Sequence, residues 1–132
     1  MPITAGELLD RLHSDPEWVK KHEERERKRA EEEARLLEDE QPIVKDLREA
    51  GFAVDSVWDL VKQTGYPEAI PILVQHLKKP YDPANREGIA RALGEPEAKK
   101  YLPEIFDAFE WDPDTRVVGS KGALGNTIDI LA

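Results

Sequence analysis

Two stretches decide how this chain reads: DPANREGIARALG, Asp82 to Gly94, and DPDTRVVGSKGALG, Asp112 to Gly125. Each opens on Asp-Pro, sets an Arg four places after the Asp, and closes on Ala-Leu-Gly. Taken alone, GSKGALG suggests a glycine loop for a phosphate. The nucleotide pattern, however, needs Gly, four residues, then Gly-Lys-Ser/Thr behind a strand, and Lys121 is followed by Gly122 and Ala123. A pattern met twice in register is read as architecture.

In each copy the Asp carboxylate is placed to accept hydrogen bonds from the free amides of a new helix. The Pro takes a first-turn position where its missing N–H costs nothing. Asp82 and Asp112 are therefore the expected caps. Arg86 and Arg116 fall one turn later on the same face, from which a guanidinium reaches the Asp of its own unit or of its neighbour. Ahead of each corner stands another helix. Pro67 opens one with Ala69, Ile70, Leu73, Val74 and Leu77 at helical spacing, and Pro96 opens one with Ala98, Leu102, Ile105, Phe106 and Phe109. Units are expected at about 66–94 and 95–125, the second closed by a helix that starts at Asp112-Pro113 and carries Gly119 and Gly122 in its interior. Nowhere does the chain alternate as a strand would, so the fold class is all-α.

Upstream, residues 1–41 read as a helical extension. Thr4 with Glu7 forms a capping box before Leu8, Leu9 and Leu12, and Ser14 with Glu17 starts a second helix that meets no glycine or proline from Glu17 to Gln41. Between Val19 and Leu36 its only non-polar side chains are Ala30 and Ala34. Pairs such as Glu17–Lys21, Glu23–Arg27, Glu24–Lys28 and Glu31–Arg35 are each worth about 0.2–0.5 kcal/mol in an isolated helix. Ala30, Ala34, Leu37 and Val44 offer a stripe for the domain or for a second copy. Residues 42–132 form the repeat domain, in which Trp58 is read as core and Gly51 and Gly65 as stops.

The chain of 132 residues has room for one ordinary domain. It contains no cysteine, and so no disulfide or thiolate chemistry. The balance of 28 acidic against 19 basic residues, net −9, repels polyanions and anionic lipid. No apolar run nears the roughly 20 residues of a spanning helix, and the N-terminus lacks a secretory pattern. A cytoplasmic location without membrane association is the expectation.

The segment from Val61 onward resembles the HEAT-like (armadillo-type) helical repeat family over about residues 61–132. Ala69, Pro71, Leu73, Leu77, Asp82, Arg86, Ala92, Leu93 and Gly94 carry the first unit. Pro103, Ile105, Phe109, Asp112, Arg116, Ala123, Leu124 and Gly125 carry the second. The resemblance implies a short α-α superhelix of helical hairpins whose second helices line a concave face, and a scaffold or protein-binding role. Some relatives are lyase-like or bind nucleic acid. The apolar end, Ile130-Leu131-Ala132, leaves two readings open: it packs on another copy, or the chain is part of a longer array.

No residue set points to chemistry. His13, His22 and His76 lie on separate expected helices without metal-ligand spacing, His76 reading as a boundary residue. The runs Glu31-Glu32-Glu33 and Glu38-Asp39-Glu40 read as solvated charge. No catalytic residue, metal or cofactor is expected. The candidates are for interaction: Arg86, Arg91, Arg116 and Lys121 on the second helices, with Trp111 and Tyr81 as exposed anchors at the turns and Trp18 plugging the arm onto the body. The expected partner is another protein or an acidic peptide. Nucleic acid held by the inner-helix Arg and Lys is the alternative, a lyase-like enzyme a further one, and self-association through the long helix or the C-terminal edge is left open.

Overall fold

The computed structural model describes residues 2–114 and 119–132. Every regular element among them is helical: α1 (Ala5–His13), α2 (Pro16–Asp39), α3 (Gln41–Glu49), α4 (Trp58–Val61), α5 (Ile70–Gln75), α6 (Pro83–Ala92), α7 (Leu102–Trp111) and α8 (Ser120–Leu131). Contacts divide the chain into two units, one ending at Arg35 and one running from Leu36 to Ala132. The division falls ahead of the residue-41 boundary read from sequence, because the last turn of α2 packs with the body.

In the first unit Thr4 caps α1, its hydroxyl oxygen accepting from the Glu7 amide at 3.1 Å. Ser14 does not cap α2. Its hydroxyl donates back to the Asp10 carbonyl, and the Asp15 carboxylate accepts from the Glu17 amide at 3.0 Å. Asp15-Pro16 thus starts a helix as Asp82-Pro83 does, and a charged acceptor suits the positive helix end better than a hydroxyl. The ring contacts of Trp18 are with His13, edge-on at 5.2 Å, and His22, stacked at 4.8 Å. No residue of α2 is buried. Its ion pairs join Arg27 to Glu24 and Glu31, Arg29 to Glu26, and Arg35 to Glu32.

The second unit begins on a different stripe from the one expected. Ala34 is exposed and Leu37 is 43% exposed, while Leu36 and Asp39 are half-buried and Glu40 is buried. From Glu40 the buried face continues through Ile43, Val44 and Leu47 of α3, at helical spacing. Gly51 and Gly65 then turn the chain with φ of 100° and 73°, conformations that suit glycine. The core gathers Ile43, Leu47, Leu60, Ile70, Leu73, Ile89, Leu93 and Ile105, each fully buried, at about 1.5–3 kcal/mol of favourable burial per side chain.

The first helices of the two expected units are shorter than their patterns. Pro67–Ala69 and Pro96–Tyr101 are 3₁₀ turns that lead into α5 and α7. The cause is a second proline in each: Pro71 and Pro103 lack the N–H that would bond four residues back, so the α pattern starts beside them. The last helix departs further. α8 starts at Ser120, not at Pro113; Gly119 is extended just before it, with φ of 175°, and Gly122 sits in its first turn. Val117 and Val118 lie outside the described residues. Gly94 follows the end of α6, whereas Gly125 is inside α8, beside the Phe109 ring. The two Ala-Leu-Gly motifs are therefore not spatial equivalents.

Neighbours in space are α3 with α5, α4 with α6, α6 with α8, and α7 with α8. α6 and α8 run in the same sense, since the Thr127 hydroxyl donates to the Ala90 carbonyl at 2.6 Å and Ile130 stands beside Gly94. Gly88 lets α6 approach α4: a Cβ there would meet the Trp58 indole nitrogen at 2.8 Å and Val57 at 2.9 Å.

Candidate functional site

The Asp-Pro corners line one edge of the body. Asp82 accepts from the Ala84 amide at 2.9 Å, capping α6, and its own amide donates to the Asp39 carboxylate at 2.8 Å. Asn85 donates to that carboxylate and to the Leu36 carbonyl, both at 2.9 Å. One turn after Asp82, Arg86 reaches forward to Asp112 at 3.5 Å, so the guanidinium ties its own corner to the next one. Asp112 accepts from the Asp114 amide at 2.8 Å but does not cap α8. That task falls to Asp114, whose carboxylate takes both the amide and the hydroxyl of Ser120, at 3.0 and 3.2 Å. The displacement follows from the late helix start, which puts the free amides closer to Asp114.

A second polar cluster was not legible as such. His76 is 1% exposed rather than at the boundary, with Nε2 at 2.6 Å from Asp46 and Nδ1 at 2.7 Å from the Tyr81 hydroxyl. A carboxylate only accepts, so Nε2 carries the proton and the Tyr81 hydroxyl donates to Nδ1. Burial pushes His76 below its ordinary value, against the pull of Asp46. It pushes Tyr81 up to about 12, with the nearby Ile43 N–H opposing and Asp46 adding to the rise. The relay joins α3 to the α5–α6 turn. Tyr81, expected as an exposed anchor, is 7% exposed. It turns inward because the buried imidazole needs a donor.

Glu40 is also buried rather than solvated, at 1% exposure, and accepts from the Val57 amide at 3.3 Å. Burial raises its pKa, against hydrogen bonds from Ser56 and Val57. Its neighbour Asp39 is held by Asp82 and Asn85, so the run Glu38-Asp39-Glu40 is in part a structural junction. Tyr66, buried and pushed up to about 12 by burial and then by Glu95, donates to the Ala92 carbonyl at 2.8 Å at the end of α6.

The remaining candidates fall at two places. Trp111, 39% exposed, ends α7 rather than standing in a turn, and lies 5.6 Å from the Arg86 guanidinium at the corner edge. Arg86 itself is 8% exposed, which corrects its reading as a surface contact: its charge is spent on Asp112. Arg116 lies outside the described residues. Arg91 is exposed on α6, paired with Glu87 at 3.1 Å and lying over the half-buried Trp58 ring at 5.9 Å. Beside it a groove of about 520 Å³ runs between α6 and α8, lined by Val61, Arg91, Ala123, Asn126, Asp129 and Ile130 among others. Ile130 is 69% exposed. Lys121 does not line the groove; its ammonium sits 4.9 Å over Phe109. Sequence had singled out Arg91 on the second helices and Ile130 only as part of an apolar end, and had passed over Asn126, since only the α6–α8 register sets them together.

Among the described residues no helix is long and apolar enough to cross a membrane. No family model, curated protein or solved structure matches the chain.

Proposed function

We propose that this protein is a non-enzymatic interaction module built as a short α-α superhelix of HEAT-like hairpins, α3–α4, α5–α6 and α7–α8. The order of packing, α3 on α5 in one row and α4 on α6 on α8 in the other, supports that winding. It adds one hairpin to the two expected from sequence. Partner binding is placed on the row of second helices, along the groove beside Arg91.

The observation that carries this reading is Arg91, exposed, resting on an indole and bordering an open groove of mixed lining in which Val61, Ala123 and Ile130 stand with Asn126, Thr127 and Asp129. A cation held over an aromatic ring next to exposed aliphatic surface combines residue types that dominate protein interfaces. The fitting partner is a protein or peptide segment that presents a carboxylate beside an apolar side chain. Nucleic acid is the weaker reading because Arg86 is buried against Asp112, which removes one of the cations it needs.

The test is retention of binding partners from cell extract by the wild type and by Arg91→Glu and Ile130→Asp variants of unchanged helicity. Partners lost from both variants support the groove. A partner retained equally by wild type and both variants places recognition elsewhere.

A further inference from the structure

We infer that the end face formed by α7 and α8 is a self-association surface, on which a second copy of the chain packs about a two-fold axis parallel to the helices. Its residues are not those of the groove beside Arg91.

The packing inside the body shows what covers a face of this kind. α5 and α7 share a register set by their prolines, Ile70-Pro71 and Leu102-Pro103, so that Val74 matches Phe106, Leu77 matches Phe109 and Lys78 matches Glu110. On α5 that face is covered by a helix: Val74, Leu77 and Lys78 border one crevice with Glu104 and Asp107 of α7, and Lys78 pairs with Asp107 at 2.5 Å. On α7, at about 100° per residue, Leu102, Phe106 and Phe109 fall within an arc of about 60°, roughly opposite Glu104 and Asp107. Phe106 is 50% exposed there, although its ring is larger than the half-buried Val74 that it matches. α8 repeats the arrangement. Thr127 and Ile130 are turned to α6 and its end, while Lys121, Gly125 and Ile128 fall within about 60° on the opposite side.

The two halves of the face differ in relief and complement each other. α7 contributes a ridge of Leu102, Phe106 and Phe109; α8 contributes a strip in which Gly125 lies low between Lys121 and Ile128. α8 runs back along α7, since Lys121 sits 4.9 Å over Phe109, while Leu131 and Ala132 border a cavity with Pro96 and Lys99 ahead of α7. A two-fold axis parallel to the helices therefore lays α7 of each copy over α8 of the other, ridge on strip, and the contact closes on itself. An axis across the helices would set ridge on ridge and hold the strips apart.

The charges, taken by face, fit the same placement. Within the two arcs Lys121 is the one charged side chain among the described residues, with Glu110 at the edge of the α7 arc and Asp129 at the edge of the α8 arc. Neither Lys121 nor Glu110 has an ion-pair partner among the described residues. The axis brings Glu110 of each copy to the level of the partner's Lys121. It brings Asp129 to the N-terminal end of the other α7, the positive end of that helix.

Sedimentation equilibrium of the full chain is expected to show a dimer. Phe106→Glu changes an exposed side chain, so circular dichroism should report unchanged helicity. Its dissociation constant should rise about thirtyfold or more, because an aromatic contact is lost twice in a two-fold pair. Lys121→Glu and Glu110→Lys should each weaken the dimer, and the two changes in one chain should restore it with the signs exchanged. Glu110→Lys is the sharper of these tests. It lowers the net negative charge of the chain, so general repulsion alone would make that variant associate more tightly. A monomer at every concentration overturns the inference, as does a dimer that Phe106→Glu leaves intact. A dimer tightened by Glu110→Lys overturns it too.

Discussion

Asp112→Asn removes one negative charge from the corner edge while keeping an oxygen to accept from the Asp114 amide. The side chains of Arg86 and Asp112 are 8% and 1% exposed and lie 3.5 Å apart. Neutralising the carboxylate strands a buried guanidinium, a change that costs about 3–5 kcal/mol where burial is complete. Two details put the expectation at the lower end, about 3 kcal/mol. The pair is long, with Arg86 Nε and Asp112 Oδ2 lacking hydrogen-bond partners among the described residues. The half-open Trp111 ring at 5.6 Å also gives a freed guanidinium somewhere to lean. Adding Arg86→Met should recover most of that loss, because removing both charges also removes the cost of burying them. Urea unfolding followed by far-ultraviolet circular dichroism measures the cycle. A single Asp112→Asn variant within about 0.5 kcal/mol of wild type, or single costs that simply add in the double variant, would refute an energetic tie between the two corners.

Gly88→Ala should destabilise by about 1–2 kcal/mol, the overpacking against Trp58 and Val57 outweighing the better helix propensity of alanine; an increase in the urea midpoint would show that α4 yields freely. His76 has a folded pKa below its unfolded value, so its contribution is complete above about pH 6.5 and is lost as pH falls through the lowered value. The stability of the wild type should therefore drop between pH 7 and 5 more steeply than that of His76→Gln, and matching slopes would contradict the relay. Glu40 has the opposite sign: its pKa is raised, so its contribution is complete below 4.5 and is lost as pH rises through the folded value. Glu40→Gln keeps an acceptor for the Val57 amide and should raise the urea midpoint at pH 7, with the gain vanishing toward pH 4. A lower midpoint at pH 7 would mean that the buried charge itself holds α4 in place.

Several elements were legible because their causes are local. Thr4 capping α1, the glycines at 51 and 65, and the helical spacing of Ile43 with Leu47 depend on residues a few places apart. The repeated spacing left a guanidinium free to reach the Asp of its own unit or of its neighbour, and the Arg86-to-Asp112 tie is the second of these. The proline-split starts of α5 and α7 were also local, yet the stronger apolar periodicity masked them. The interaction candidates fared unevenly. Arg91 stands where a contact is possible, while Arg86 and Tyr81 were drawn inward by partners 26 and 5 residues away in the chain.

What this sequence determined by itself is the helical class, the long unburied charged helix and the Asp-Pro edge, since periodicity, absence of burial and first-turn chemistry act over one or two turns. The tertiary structure alone decided which polar side chains are buried. Glu40 reads as solvated charge and His76 as a boundary residue in the string, and only the packing of α3 on α5 and of α2's last turn on the body removes their water. It also decided the register of α8 on α6, which sets Ile130 and Asn126 beside Arg91, because contacts between distant segments depend on a helix start that no local motif revealed.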